Sequence, residues 1–330
     1  MLNYSKMMFL SIMIISTLMV ISSDSWLGMW MGMEMNLMSF IPFISKSKNK
    51  KSSQGMIIYF LAQSMGSIMF LFSILMNKIM ISPMMINSLM NELLMISMLI
   101  KLGAAPFHMW IPEMMTNLNW IEIFMLSTWQ KLGPLYVLYS TLTTTWIVVI
   151  SVILSSIIGS IGGIMYSSMR KILAYSSINH MSWMIMMLNI QKQWYLYLLI
   201  YSMLMLSTCI WFHVNNFYFM NQLMKTSSMM EKLVTSSLLL SLGGMPPMLG
   251  FLPKWIAIQA MLTAGTIMIM MIMIMSSMLT LFYYMRMISL NMLLFSACNK
   301  WMSKSKPGLI LWFMIITNLS LPAFLIMNFI

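Results

Sequence analysis

Long runs of apolar residues, one after another, constrain this chain more than any other feature. From Met7 to Ile21, and again from Met56 to Met76 and from Trp146 to Met165, no charged residue occurs. About twenty such residues in a helix cross the hydrocarbon core of a bilayer. The runs are continuous rather than alternating, which excludes a β-barrel and leaves helices, whose backbone groups pair within the segment. Only 7% of the 330 residues are charged, too few to cover a soluble domain of this size. The expected fold is therefore all-α: one polytopic membrane domain over residues 1–330.

The pattern predicts eleven transmembrane helices, at 5–22, 26–44, 55–76, 85–105, 119–140, 146–165, 172–189, 194–218, 233–261, 265–289 and 308–328. The ninth is too long for one plain crossing and contains Gly243-Gly244-Met245-Pro246-Pro247, so a broken helix is expected there. The first run, Met1 to Ile21, has no small-residue cleavage site after it and reads as a span rather than a removable leader.

Charge tests the count. If the N-terminus faces the positive side, 13 basic residues fall on that side and 2, Lys78 and Lys192, on the other. Lys101, Lys131 and Lys254 remain inside the membrane. That asymmetry is what the positive-inside rule expects of an odd number of spans. The net charge of +12 thus reports topology, not nucleic-acid binding. The strongest basic run, Lys46 to Lys51, reads as a topology anchor, with a grip on anionic headgroups as the alternative. Met is in excess, with 51 residues on every face of the spans. An AT-rich genome that reads ATA as methionine, as in animal mitochondria, accounts for this better than a soft interior does.

Lys101 lies at the end of the run Leu93 to Ile100, and Pro106 follows closely. A charge at that depth costs roughly 2.5–3.5 kcal/mol on insertion scales. Proline removes a backbone donor and favours a break. Charge and break together mark a transport path rather than a packing helix. Leu102-Gly103-Ala104-Ala105-Pro106 is echoed 140 residues on by Leu242-Gly243-Gly244-Met245-Pro246, and a lysine lies near each. The echo falls in the fourth and ninth spans. Five spans apart is an odd number, so the units would be inverted relative to one another.

Four ionisable residues are placed within spans or at their breaks: Glu34, Lys101, Lys131 and Lys254. Desolvation disfavours a charged ammonium and a nearby carboxylate favours it, so a buried lysine between these influences can load and release a proton. Glu34 is the expected partner of Lys101. His108, just past the first break, and His180 are possible further relay groups, because imidazole titrates nearest neutrality. His213 lies near a span end and reads as structural, while Glu92, Glu113, Glu122 and Glu231 lie near span ends, where solvated carboxylates are ordinary. No Gly-rich dinucleotide fingerprint or P-loop is present, and three scattered histidines do not supply paired haem ligands. Two cysteines, Cys209 and Cys298, cannot build an iron–sulfur site.

Several stretches resemble the antiporter-like subunits of respiratory NADH–ubiquinone oxidoreductase (complex I) of the animal mitochondrial type. They are Ser25-Trp26-Leu27-Gly28-Met29-Trp30 with Glu34 and Asn36-Leu37, Lys101 to His108, Thr128-Trp129-Gln130-Lys131, Arg170 to His180, and Leu242 to Lys254. The resemblance implies two inverted five-helix repeats, about 1–140 and 146–290, and a final helix at 308–328. It implies a proton relay through Glu34 with Lys101, then Lys131, then Lys254. It further implies a core membrane-arm subunit of the mitochondrial inner membrane, where the charge asymmetry would place the N-terminus in the matrix. Protons would be translocated as other subunits oxidise NADH and reduce ubiquinone. NAD, FMN, iron–sulfur clusters and ubiquinone would belong to those subunits, with no cofactor and no metal in this chain. The expected partners are other membrane-arm subunits and phospholipids. Bacterial relatives carry three more helices before the first span. A cation–proton antiporter and a purely structural subunit are the competing readings.

Overall fold

The computed structural model describes residues 4–45, 50–79, 84–141, 146–190, 193–225, 229–293 and 308–320. Among them the secondary structure is helical, apart from one isolated antiparallel bridge between Ser168 and Phe219. The chain forms two compact units, Met1–Ser155 and Ser156–Ile330.

The first unit holds α1 (Tyr4–Ser22), α2 (Trp26–Ile44), α3 (Lys50–Ile79), α4 (Met84–Leu102), α5 (Trp110–Asn117), α6 (Trp120–Ser127) and α7 (Trp129–Thr141). The helix α8 (Trp146–Ile164) crosses the boundary between the units. In the second unit lie α9 (Met169–Asn189), α10 (Trp194–Asn215), α11 (Met229–Gly243), α12 (Phe251–Thr263), α13 (Ile267–Leu293) and α14 (Leu309–Asn318), with a short 3-10 helix at Met220–Lys225. Helices or pairs of helices lie within the predicted spans where these fall among the described residues. Among the described residues five helices, α1, α3, α8, α10 and α13, are long and apolar enough to cross a membrane on length and composition alone.

Serine is common in these apolar helices, and the structure provides for it within each helix. The hydroxyls of Ser16, Ser73, Ser97, Ser151 and Ser241 each donate to the carbonyl three residues back, at 2.6–2.8 Å. A polar group at membrane depth is thereby satisfied without a partner helix.

Breaks, not the plain helices, depart from the expectation. The fourth span ends at Leu102, before Pro106, and an eight-residue helix, α5, follows that no span had covered. The fifth is interrupted at Thr128 between α6 and α7, with no glycine or proline at that point. Pro134, by contrast, sits inside α7 without ending it. The ninth is broken as expected, into α11 and α12. Of the final predicted helix, 321–328 lies outside the described residues, as do Lys46, Lys48, Lys192, Cys298, Lys300, Lys304 and Lys306.

In the first unit α3 packs on α2, α4 and α5, while α7 packs on α1, α2 and α4. In the second, α9 packs on α10, α12 and α13, and α11 packs on α10, α13 and α14. The helices that carry Lys101 and Lys131 are therefore neighbours.

Candidate functional site

Both breaks are built the same way. At the first, Gly103 has φ +67°, its N–H donates to Ile100 O, and the N–H of Ala104 donates to Leu99 O. At the second, Gly244 has φ +79°, its N–H donates to Ser241 O, and the N–H of Met245 donates to Leu240 O. Each is a left-handed glycine cap with paired 5→2 and 6→1 bonds. A matching turn follows: Phe107 N–H to Ala104 O and Met248 N–H to Met245 O, both 2.9 Å. Gly103 thus corresponds to Gly244, not to Gly243 as the shared letters suggested. Two adjacent glycines allowed either register, and only the backbone conformation decides it.

A helix end inside a membrane must find donors for its last carbonyls. At the first break Gln63 Nε2 donates to Lys101 O at 2.9 Å, and Trp110 Nε1 to Ile100 O at 3.3 Å. At the second, Lys254 Nζ donates to Gly243 O at 2.7 Å. The loop there is tied to α14 as well, through Leu249 N–H to Asn318 O at 3.0 Å. The lysines therefore sit on opposite sides of equivalent breaks. Lys101 is in the last turn before its break, and Lys254 is in the helix that follows and reaches back to the cap.

Lys101 is 5% exposed, Lys131 4% and Lys254 4%, so none of the three reaches an interface. Lys101 Nζ lies 3.8 Å from Met33 Sδ and 6.0 Å from the centre of the Phe70 ring. Gly66 makes room for it: a Cβ at that position would lie 2.7 Å from Lys101 Cγ.

Glu34 does not form the expected contact with Lys101. Lys6 and Glu122 form an ion pair at 3.4 Å, and Glu34 and Lys101 do not come within 4.0 Å of one another. The reason is helical geometry. Adjacent residues of α2 point about 100° apart, and Met33, buried, takes the direction of Lys101 while Glu34 is half-buried beside it.

Next to Lys131, a closed amide pair joins α2 to α7. Asn36 Nδ2 donates to Gln130 Oε1 at 2.9 Å, and Gln130 Nε2 returns to Asn36 Oδ1 at 3.1 Å. Tyr59 of α3 adds a hydrogen bond to the same Gln130 oxygen at 3.1 Å. These groups are fixed, neutral and 94 residues apart in sequence for the amide pair.

Glu122 is not the solvated end residue that its place in the sequence suggests. It is 2% exposed. Its carboxylate accepts from the Asn119 N–H at 2.9 Å, closing a capping box at the start of α6, and pairs with Lys6 of α1 at 3.4 Å. Glu113 is exposed, as expected, and His213 is exposed at the end of α10. His108 is buried at the first break, with Nδ1 3.2 Å from Pro106 O. His180, mid-way along α9, is buried with Nδ1 2.9 Å from the Tyr197 hydroxyl. Among the described residues no group of three His, Cys, Asp or Glu side chains is placed to hold a metal ion.

An all-helical chain with twin glycine-capped breaks and buried lysines beside them is a transporter-type membrane fold. Residues 23–280 match the family described as NADH:quinone oxidoreductase/Mrp antiporter, TM, and the chain belongs to that family. Within it, the chain is similar to NADH-ubiquinone oxidoreductase chain 2 of Anopheles gambiae, with 41% identity over 307 residues, covering 91% of this chain and 90% of that one. The same protein of Locusta migratoria is 39% identical over 308 residues, 92% of this chain and 90% of that one. Among solved structures, a chain of respiratory complex I from Thermus thermophilus has the same fold, with a TM-score of 0.81, 18% identity, and coverage of 96% of this chain and 76% of that one. A chain of the Mrp complex from Dietzia matches with a TM-score of 0.76 and 16% identity, over 85% of this chain and 59% of that one.

Proposed function

We propose that this chain is a membrane-arm subunit of complex I in the mitochondrial inner membrane, and that it translocates protons as other subunits oxidise NADH and reduce ubiquinone. One observation carries the reading: lysines fully withdrawn from the surface stand at both helix breaks, in a chain whose relatives are NADH-ubiquinone oxidoreductase chain 2 over about nine-tenths of its length. An ammonium in that setting is costly unless it is used.

The relay runs through Glu34, Lys101, Lys131 and Lys254, with His108 and His180 as intermediate groups. Each lysine takes a proton as an ammonium and gives it up as an amine. Alternate desolvation and approach of a carboxylate shift the balance between the two forms. Glu34 works at a distance in the resting arrangement, and a small rotation of α2 would bring it against Lys101. Residues of about 1–140 and 146–290 form inverted repeats, eleven helices cross the membrane, and the N-terminus faces the matrix. NAD, FMN, iron–sulfur clusters and ubiquinone reside in neighbouring subunits, and phospholipids and those subunits cover the apolar flanks.

Substitution of Lys101 by Met tests the relay. K101M is expected to assemble into the active complex, seen as NADH-dehydrogenase staining of the large band on a native gel, while fewer protons move per NADH oxidised. Full stoichiometry in the assembled variant would refute the role. A band containing this chain but lacking NADH-dehydrogenase activity, with sodium-dependent flux, would instead support a cation–proton antiporter like the Mrp proteins.

A further inference from the structure

In the first unit the side chain of Gln130 has every hydrogen-bonding position filled. Near the start of α7, it accepts from Asn36 Nδ2 of α2 and from the Tyr59 hydroxyl of α3, at 2.9 and 3.1 Å. Its Nε2 donates to Asn36 Oδ1 at 3.1 Å and to Met13 Sδ of α1 at 3.5 Å. An amide has two lone pairs and two N–H donors, so nothing is left over. Asn36, Tyr59 and Met13 are all buried. Four helices thus meet on one amide, and the next residue is Lys131, itself buried.

Interhelical amide bonds commonly fasten membrane helices. This one also decides which side of α2 faces Lys101. Successive helical residues point about 100° apart, so Met33 and Asn36 project about 60° from one another, and Glu34 and Asn36 about 160°. With Asn36 held on Gln130, Met33 falls on Lys101, its Sδ 3.8 Å from Nζ, and Glu34 is turned aside. A rotation of α2 that carries Glu34 to Lys101 must withdraw Asn36 from Gln130. At the other end of the pair, α7 starts directly after the break at Thr128, and the Lys131 N–H reaches Thr128 O only at 3.3 Å. The first turn of α7 is held from the side by Gln130 as well as by this long backbone bond.

We propose that Asn36 and Gln130 form a latch and act as positioning residues for the lysine relay. Closed, it keeps Glu34 off Lys101 and fixes the turn that bears Lys131. Open, it lets Glu34 reach Lys101 and frees Lys131 in the same movement, so the two lysines change surroundings together. This rests on the relay proposed above and adds the device that times it.

A membrane-permeant carbodiimide tests the latch in the assembled complex, since it condenses a carboxylate with an amine in direct contact. The product, an amide between Glu34 and Lys101, is counted by mass spectrometry of the digested chain. N36L is expected to give several-fold more of it than the unaltered chain, and to move fewer protons per NADH oxidised. The swap N36Q/Q130N, which rebuilds an amide pair, is expected to bring both readings back. Unchanged cross-linking in N36L would overturn the latch. Full proton stoichiometry in N36L, where K101M lowers it, would also overturn the latch and leave the lysine relay standing. Full stoichiometry in K101M as well would refute the relay, and the latch with it. If N36L does not assemble, Y59F, which takes one bond from Gln130 and keeps the ring, is read against the same outcomes.

Discussion

Lys101 and Lys254 meet the same difficulty with different neighbours. Lys254 is compensated by a carbonyl at 2.7 Å, a strong charge-assisted bond, while Lys101 rests on a thioether and an aromatic face, both soft and weak. Removing each side chain therefore has different structural consequences. K254M orphans Gly243 O and is expected to lower stability by about 1–3 kcal/mol, whereas K101M orphans nothing. Thermal unfolding of the purified complex checks this, and equal losses would contradict it. Gly66 offers a subtler probe. G66A places a methyl 2.7 Å from Lys101 Cγ, so the side chain must move. The expected result is an assembled complex with reduced pumping, measured as acidification per NADH. Glu122 is a matter of stability: E122A removes a capping box and the Lys6 pair, and the loss of the cap alone costs about 1 kcal/mol.

At the scale of elements, the breaks decide what is tolerated. Gly250 lies against the last turn of α11, where a Cβ would come within van der Waals overlap of Ser241 O, a backbone atom that cannot swing aside. Gly265, between α12 and α13, has φ +73° and nothing within 4 Å. G265A is expected to cost only the left-handed penalty of about 1–2 kcal/mol, and G250A to prevent α12 from docking. Limited proteolysis of the two variants distinguishes them, with faster cleavage near the second break expected for G250A alone. The positions of the helices were legible because membrane helices are written as uninterrupted apolar runs. The break at Thr128 was not, because no residue there forbids a helix. Nor were the contacts of Glu122 with Lys6, 116 residues away, or of Asn36 with Gln130, since spacing in sequence carries no information about such distant pairs. The pairing of Glu34 with Lys101 was expected from charge alone, and it failed on the direction in which α2 points its side chains.

For the whole molecule, charge asymmetry yields a topology that can be checked without knowing any mechanism. Asp24, Ala264 and Ser167 are exposed; the proposed orientation puts the first two on the side poor in basic residues and Ser167 on the rich side. In mitoplasts, D24C and A264C are expected to react with an impermeant maleimide added outside, and S167C only after the membrane is opened. The reverse labelling would invert the assigned orientation. A last consequence lies in the bond from Lys254 to Gly243. A neutral amine donates to that carbonyl less strongly than an ammonium does, so the hold on the end of α11 depends on whether the proton is present. Thermodynamic linkage makes the dependence mutual. A shift of the end of α11 that lengthened this bond would disfavour the protonated lysine, and loss of the proton would loosen the cap.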